Sequence, residues 1–179
     1  MNCIIESERL KLRKITPDDF DDLCEILQDI EVMYAWEHAF SDSEVAEWID
    51  KNIKRYEADG FSYYAAIEKE TNQFIGVIGP LIEDIEGVRY IGIAYILNKR
   101  YWNKGYAVEG AKASIEYAFN TLNAAKVIAQ IRPENLSSRR VAEKLGMEVE
   151  NVYIKHHSGK DMPHLIYSIR KQKLIHTMN

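Results

Sequence analysis

Cysteine is scarce: Cys3 and Cys24 are the only two in 179 residues. That is too few for a disulfide framework, and neither stands in a C-x-x-C pair suited to redox or zinc chemistry. Both are expected to be reduced, with Cys24 filling a helix face. A run of about eighteen apolar residues, the minimum for a membrane span, is absent. The opening Met1-Asn2-Cys3-Ile4-Ile5-Glu6 has neither a basic lead nor a long apolar stretch. The expectation is a cytoplasmic protein with no membrane partner. Positive charge is in deficit, since 23 Lys and Arg face 28 Asp and Glu and the pI is near 5.6. With no platform of interleaved aromatic and basic residues, nucleic acid is excluded as a direct ligand. Neither G-x-x-x-x-G-K-[ST] nor a G-x-G-x-x-G run after a strand occurs, which sets nucleotide hydrolysis and dinucleotide binding aside. Repeats, linkers and low-complexity segments are also missing, so residues 1–179 read as one domain with its core in residues 9–170.

The stretch from Tyr95 to Gly110 is the most informative part of what is present. Ile91-Gly92-Ile93-Ala94-Tyr95-Ile96-Leu97 has the composition of a strand, and Asn98 to Lys104 is a polar, basic connection. Gly105-Tyr106-Ala107-Val108-Glu109-Gly110 then opens a helix expected to run to Leu122. A helix N-terminus at a strand end presents free N–H groups and a favourable dipole, which together bind phosphate without a metal. Ala107, Gly110 and Ala111 keep the first turns slim enough for a diphosphate to reach the amides of Asn103, Lys104, Gly105, Tyr106, Ala107 and Val108. One glycine alone more often marks an ordinary strand-to-helix turn, so the motif needs support from elsewhere in the chain.

Two blocks carry a resemblance. Tyr101-Trp102-Asn103-Lys104-Gly105-Tyr106-Ala107-Val108-Glu109 resembles the acyl-CoA pyrophosphate loop of the GCN5-related N-acetyltransferase (GNAT) superfamily, in particular the RimJ/RimL-like branch of ribosomal-protein N-acetyltransferases. Asn135-Leu136-Ser137-Ser138-Arg139-Arg140-Val141-Ala142-Glu143-Lys144-Leu145-Gly146-Met147 is similar to that branch's N-x-x-S-x-x-V-A-x-x-x-G-[FM] segment. The chain departs from the pattern at Trp102, where the family usually has Gln or Arg, and at Asn103, where it often has Gly. The resemblance implies acetyl-CoA as cofactor and a primary amine as acceptor, either a peptide N-terminus or a small molecule such as an amino sugar, polyamine or amino acid. A homodimer is compatible with it. The alternative is a non-catalytic acyl-CoA-binding or sensing domain.

Along the chain, Arg9 to Lys14 reads as a first strand, followed by a helix capped by Thr16 with Pro17 in its first turn and ending near Asp29. Ser41-Asp42-Ser43-Glu44 resembles a capping box, and Val45, Trp48, Ile49, Ile53 and Tyr56 recur at helical spacing up to Asp59-Gly60. Trp48 is assigned to the core. Phe61 to Glu68, Phe74 to Ile82 and Arg89 to Leu97 read as a meander joined by the turns Lys69 to Asn72 and Glu83 to Gly87. Strand five, Lys126 to Ile131, precedes a helix from Ser138 to Leu145 and two last strands, Glu148 to Lys155 and His164 to Arg170. The fold class is therefore α/β (α+β): one mixed, mostly antiparallel sheet of about seven strands with about four helices. Strands four and five would be parallel, and the resemblance implies that they splay to admit the pantetheine arm, which pairs with the backbone of Ile96 and Leu97.

The chemistry so implied is direct attack of an amine on a thioester. An alkyl ammonium near pKa ~10, or an α-amine near ~8, must first lose a proton, so a carboxylate or His is useful. Glu37 and His38, in the loop before the second helix, are candidates, and so is His164. Each is otherwise an ordinary loop or strand residue. Many relatives use a helix-four Tyr to protonate the departing thiolate, but Ala142 stands there, so the resemblance passes the acid role to Ser138, which could instead cap its helix. Asn135 is assigned to the pantetheine peptide groups. Basic residues around the blocks, Arg140 among them, suit a cofactor with several phosphates, whereas residues 16–59 hold 14 of the 28 acids and only three bases. No metal is implied. His156-His157 with His164 has no accompanying Cys and poor ligand spacing, and a hairpin turn at Ser158-Gly159 is expected.

Overall fold

A computed structural model describes residues 2–157 and 159–172. The chain runs β1 (Cys3–Glu6), β2 (Leu10–Lys14), α1 (Phe20–Leu27), α2 (Asp42–Ala58), β3 (Tyr64–Glu68), β4 (Phe74–Ile85), β5 (Val88–Leu97), α3 (Tyr106–Asn120), β6 (Lys126–Ile131), α4 (Leu136–Lys144), β7 (Glu148–His157) and β8 (Lys160–Arg170), with short 3-10 turns between. All eight strands lie in one sheet of order β1-β2-β3-β4-β5-β6-β8-β7. Neighbours are antiparallel except β5 and β6, which α3 joins in parallel.

Strand alternation sorts the core onto two faces. On one face Leu23, Ile26 and Leu27 of α1 and Val45 and Ile49 of α2 pack on Ala65, Val77 and Ile96, with Trp48 and Cys24 partly buried at the margin. The opposite face takes the alternate residues Tyr64, Ile78 and Leu97 against Ala113 of α3. Ile115 and Phe119 of α3 and Ala142 of α4 cover Val127, Tyr167 and Ile169. Burial of these side chains, worth roughly 1.5–3 kcal/mol each, is the main force holding helix to sheet.

Gly110 lets α3 sit directly on the sheet: a Cβ there would lie 2.3 Å from Ile78 Cδ1 and 3.3 Å from Leu10 Cδ1. Its slimness thus serves packing on the sheet. Gly110→Val is expected to overpack this contact at a cost of about 1–3 kcal/mol. At about 2–4 °C per kcal/mol for a chain of this size, the melting midpoint in a thermal scan should fall by several degrees. An unchanged midpoint would show that α3 can lift without loss.

Expected and observed elements differ in several places: β7 runs on to His157 and β8 starts at Lys160 rather than His164, and a 3-10 turn, Pro17–Asp19, separates Thr16 from α1. The sheet has eight strands rather than seven, because Cys3–Glu6 adds an edge strand paired with β2. Phe61, Ser62 and Tyr63 precede β3 as buried, non-strand residues. The segment Glu83 to Gly87 is not all turn: β4 continues to Ile85, and Glu86 and Gly87 alone reverse the chain with φ of 52° and 80°. Positive φ at both central residues is what a two-residue type I′ hairpin requires. Finally, α4 starts at Leu136, and its cap is Asn135, whose side chain accepts the Ser138 N–H at 3.2 Å. Ser138 is therefore not the cap.

The feature that creates the site is a break in the sheet. Parallel pairing of β5 with β6 is confined to Ile91 with Val127 and Gly92 with Ile128. Beyond it β5 follows β4 as far as Leu97 opposite Gly76, while β6 follows β8 as far as Ile131 opposite Leu165. The two strands diverge as expected, and a gap opens past Gly92.

Candidate active site in the gap between β5 and β6

The segment leading into α3 is shaped by two left-handed residues, Asn103 (φ 59°) and Gly105 (φ 83°). That conformation suits Gly and Asn, which accounts for Asn at a position where the resembled family often has Gly. Among the described residues, the first N–H here to find a protein acceptor is that of Glu109, which donates to Gly105 O at 3.0 Å. The N–H groups of residues 103–108 have none, and α3 has no side-chain cap. Such a row of donors at a helix N-terminus is an anion-binding concavity. Its outer side is braced: the Arg9 guanidinium pairs with Glu109 at 2.6 Å, donates to Lys104 O at 3.0 Å and lies 4.2 Å from the Tyr106 ring centre. The Tyr106 hydroxyl in turn donates to Glu68.

Two cavities occupy the gap. One, of about 360 Å³, lies between the α3 end and α4 and is lined by Ile96, Leu97, Trp102, Asn103, Ala107 and Ser137 together with shared residues. The other, of about 340 Å³, extends toward the β7–β8 hairpin past Glu83, Gln130, Arg132, Lys155, Met162 and His164. They share Ala35, Trp36, Tyr95, Asn135, Ser138 and Val141. Tyr95 and Ser138 thus stand where one cavity gives way to the other.

Of the residues expected at the site, Ile96, Leu97, Asn103, Ala107, Asn135 and Ser138 line the first cavity, and His164 lines the second. Lys104, Gly105, Tyr106 and Val108 belong to the amide loop without lining either, and Arg140 is exposed on α4. Leu97 O is already engaged, accepting the Trp102 indole N–H at 3.0 Å, so Trp102 braces the strand end. Asn135 Oδ1 accepts from the Tyr34 hydroxyl at 2.6 Å as well as from Ser138 N. The Ser137 hydroxyl lies 3.1 Å from the same oxygen, and the Asn135 Nδ2 has no partner among the described residues.

Glu37 and His38 line neither cavity. Glu37 sits 3.7 Å from Arg132 and 3.6 Å from Lys160, and His38 Nε2 is 2.8 Å from Glu44 at the start of α2. Part of the basic belt is likewise engaged: Lys99 pairs with Asp29 at 2.8 Å and Glu31 at 2.5 Å, and Arg100 pairs with Glu25. Those pairs neutralise acids of the early segment, whereas Lys104 in the loop, and Arg139, Arg140 and Lys144 on α4, have no ion pair among the described residues. His156 pairs with Asp161, the turn residue Ser158 lies outside the described residues, and no cluster of metal-ligand type occurs among the described residues.

Three functional candidates escaped the sequence reading. Glu83, on β4, lies over Gly92 at the vertex of the gap, where a Cβ on residue 92 would come within 2.5 Å of Glu83 Cγ. Gln130 Nε2 donates to Glu83 Oε2 at 2.8 Å, and burial raises the carboxyl above its ordinary pKa despite the opposing fields of Lys155 and Arg55. Tyr95 carries a buried hydroxyl without a well-formed hydrogen bond, and burial pushes its pKa up to about 12. Ser138 beside it acts in the opposite direction without meeting good hydrogen-bond geometry. Lys155 extends from β7 to the second cavity. His164 Nδ1 lies 2.9 Å from Met162 O, and since a carbonyl can only accept, Nδ1 carries the proton and the neutral ring has its lone pair on Nε2. Burial lowers the His164 pKa, helped by Lys155 and Arg132, which keeps that lone pair present at neutral pH.

A family model described as an acetyltransferase (GNAT) domain matches residues 9–148. The chain belongs to that family. The expected enzyme class, N-acetyltransferase, is borne out with it. A GNAT relative, the uncharacterized N-acetyltransferase YnaD of Bacillus subtilis, is 32% identical over 152 residues, covering 84% of this chain and 86% of that protein. The crystal structure of a GNAT-family acetyltransferase from Bacillus anthracis superposes with a TM-score of 0.81 at 29% identity, covering 94% of this chain and 98% of that one. RimL, a ribosomal L7/L12 alpha-N-protein acetyltransferase solved with coenzyme A, shares the fold with a TM-score of 0.75 at 16% identity, covering 94% and 98%.

Proposed function

We propose that this chain is a cytoplasmic, acetyl-CoA-dependent N-acetyltransferase that acts on a primary amine by direct attack. The observation that carries the reading is the junction of two cavities at Tyr95 and Ser138, one bordered by unpartnered amides and the other by titratable side chains. The residues present fit the cofactor: N–H groups of residues 103–108 suit a diphosphate, Ala107 leaves room beside them, and the diverging strands admit a narrow arm. Acetyl-CoA, when bound, supplies an acetyl thioester open to an amine without a covalent enzyme intermediate.

The chain's own groups then divide the work. Backbone groups of Ile96 and Leu97, with Asn135 Nδ2, orient the arm. Glu83, its pKa raised above the ordinary carboxyl value by burial, removes a proton from the incoming ammonium directly or through water. His164 Nε2 is placed to accept a proton on the same side. Ser138 and Tyr95 offer hydroxyls at the junction, where the departing sulfur needs a proton, and Tyr95 supplies from β5 a phenol that Ala142 on α4 cannot.

The absence of a helix-four Tyr favours one rival, an acyl-CoA-binding domain without turnover. A thiol assay of CoA release across a panel of amines separates the two. Amine-dependent release supports the transferase, and saturable CoA binding with no release on any amine supports the rival.

A further inference from the structure

Two side chains of opposite charge line the second cavity without neutralising each other. Glu83 is held by Gln130 and has no cation within ion-pair distance among the described residues. Lys155 has no ion pair and no hydrogen bond from its Nζ among the described residues, although it lines the same cavity. Arg132 in the same cavity wall pairs with Glu134 at 2.5 Å, although its buried Nε has no partner among the described residues, Lys160 lies 3.6 Å from Glu37, and Arg55 acts on Glu83 without lining the cavity. Lys155 and Glu83 nevertheless sense each other, because Lys155 is among the charges acting on the Glu83 carboxyl.

Strand register explains the placement. Lys155 pairs with Met162 and Tyr153 with His164, so Lys155, Met162 and His164 project from one face of the β7–β8 hairpin. All three line the cavity wall facing Glu83. A half-buried carboxylate and an exposed, separated lysine lining the same cavity are the complement of a ligand carrying both charges in the opposite arrangement.

Building on the transferase reading, we propose that the acceptor is a small zwitterionic amine, its ammonium directed to Glu83 and its carboxylate or phosphate to Lys155. A diamine or polyamine of similar length would place its second ammonium against Lys155, and a neutral ester would leave Lys155 unanswered. Electrostatic mismatch of this kind acts by rejecting the wrong ligand as much as by holding the right one.

The test uses the full chain with saturating acetyl-CoA and three matched sets of amines: amino acids and aminoalkyl phosphates, the corresponding methyl esters, and diamines of equal length. Zwitterions are expected to show kcat/KM at least tenfold above esters and diamines, with the carboxylate and phosphate arms telling which anion is preferred. In Lys155→Glu the order should invert toward diamines, while the Kd for CoA in calorimetry stays the same. A second measurement, calorimetric binding of the best zwitterion with CoA present, separates this inference from the reading beneath it. Binding that is lost in Lys155→Glu but accompanied by no turnover would sustain the site and sink the transferase. Preference for diamines or esters by the native chain, no zwitterion binding at all, or an unchanged order in Lys155→Glu overturns the inference.

Discussion

Glu83→Gln should lower kcat/KM for the amine about 10²- to 10⁴-fold, the range for loss of a positioned base, and leave the KM for acetyl-CoA little changed. The isosteric amide keeps an acceptor for the Gln130 N–H but cannot take a proton. In the native enzyme the rate should fall as pH drops through a carboxyl pKa lying above the ordinary 4.5, and that limb should disappear in the variant. Stability should move the other way. A carboxyl whose pKa is raised on folding contributes stability below the unfolded value of ~4.3 and loses it as pH rises through the folded value. At neutral pH the native chain therefore bears the cost of a half-buried carboxylate, which the neutral amide of the variant avoids, so the variant should melt higher. If His164→Gln rather than Glu83→Gln produces the large loss and removes the acid limb, the base is His164 and Glu83 only shapes the cavity.

Why Glu83 was illegible is itself physical. It opens the run Glu83-Asp84-Ile85-Glu86-Gly87, whose charge and terminal glycine read as a loop. Only Glu86 and Gly87 are needed to reverse the chain, and the Gly87 N–H is satisfied by Asp84 Oδ1 at 2.9 Å, so the strand carries on through the acids. The periodic helices and the apolar strands from Leu10 onward were legible because burial of one face imposes a repeat. Cys3–Glu6 was not, since four residues on an edge carry too little alternation to register. Side-chain pairings across long separations were also hidden: Glu37 meets Arg132 and Lys160, and Lys99 and Arg100 meet acids at the C-terminal end of α1 and in the loop that follows it. Charge runs along the chain suggested free phosphate-binding cations and a free acidic face, whereas folding brings members of the two sets together. The loop from Asn103 to Val108 was legible for the opposite reason, because its function depends on local backbone conformation that glycine and asparagine report directly.

That dependence makes Gly105→Pro the most damaging change expected at the cofactor side. Proline fixes φ near −65°, and Gly105 sits at φ 83°, so the turn cannot survive the substitution and one N–H is deleted as well. CoA affinity in a calorimetric titration is expected to fall more than about a hundredfold, a loss above about 2.8 kcal/mol by the tenfold-per-1.4 kcal/mol relation. Gly105→Ala isolates the conformational part, since its Cβ would approach Arg9 Nη2 at 3.3 Å and the left-handed conformation costs about 1–2 kcal/mol for an L-residue. An affinity loss of intermediate size should follow. Lys104→Ala removes an exposed, screened charge while leaving every amide in place, and should cost less than either glycine change. The ranking Pro, then Ala at 105, then Ala at 104 is what main-chain donors predict. A ranking led by Lys104→Ala would mean that side-chain charge, rather than the row of amides at the start of α3, holds the phosphates.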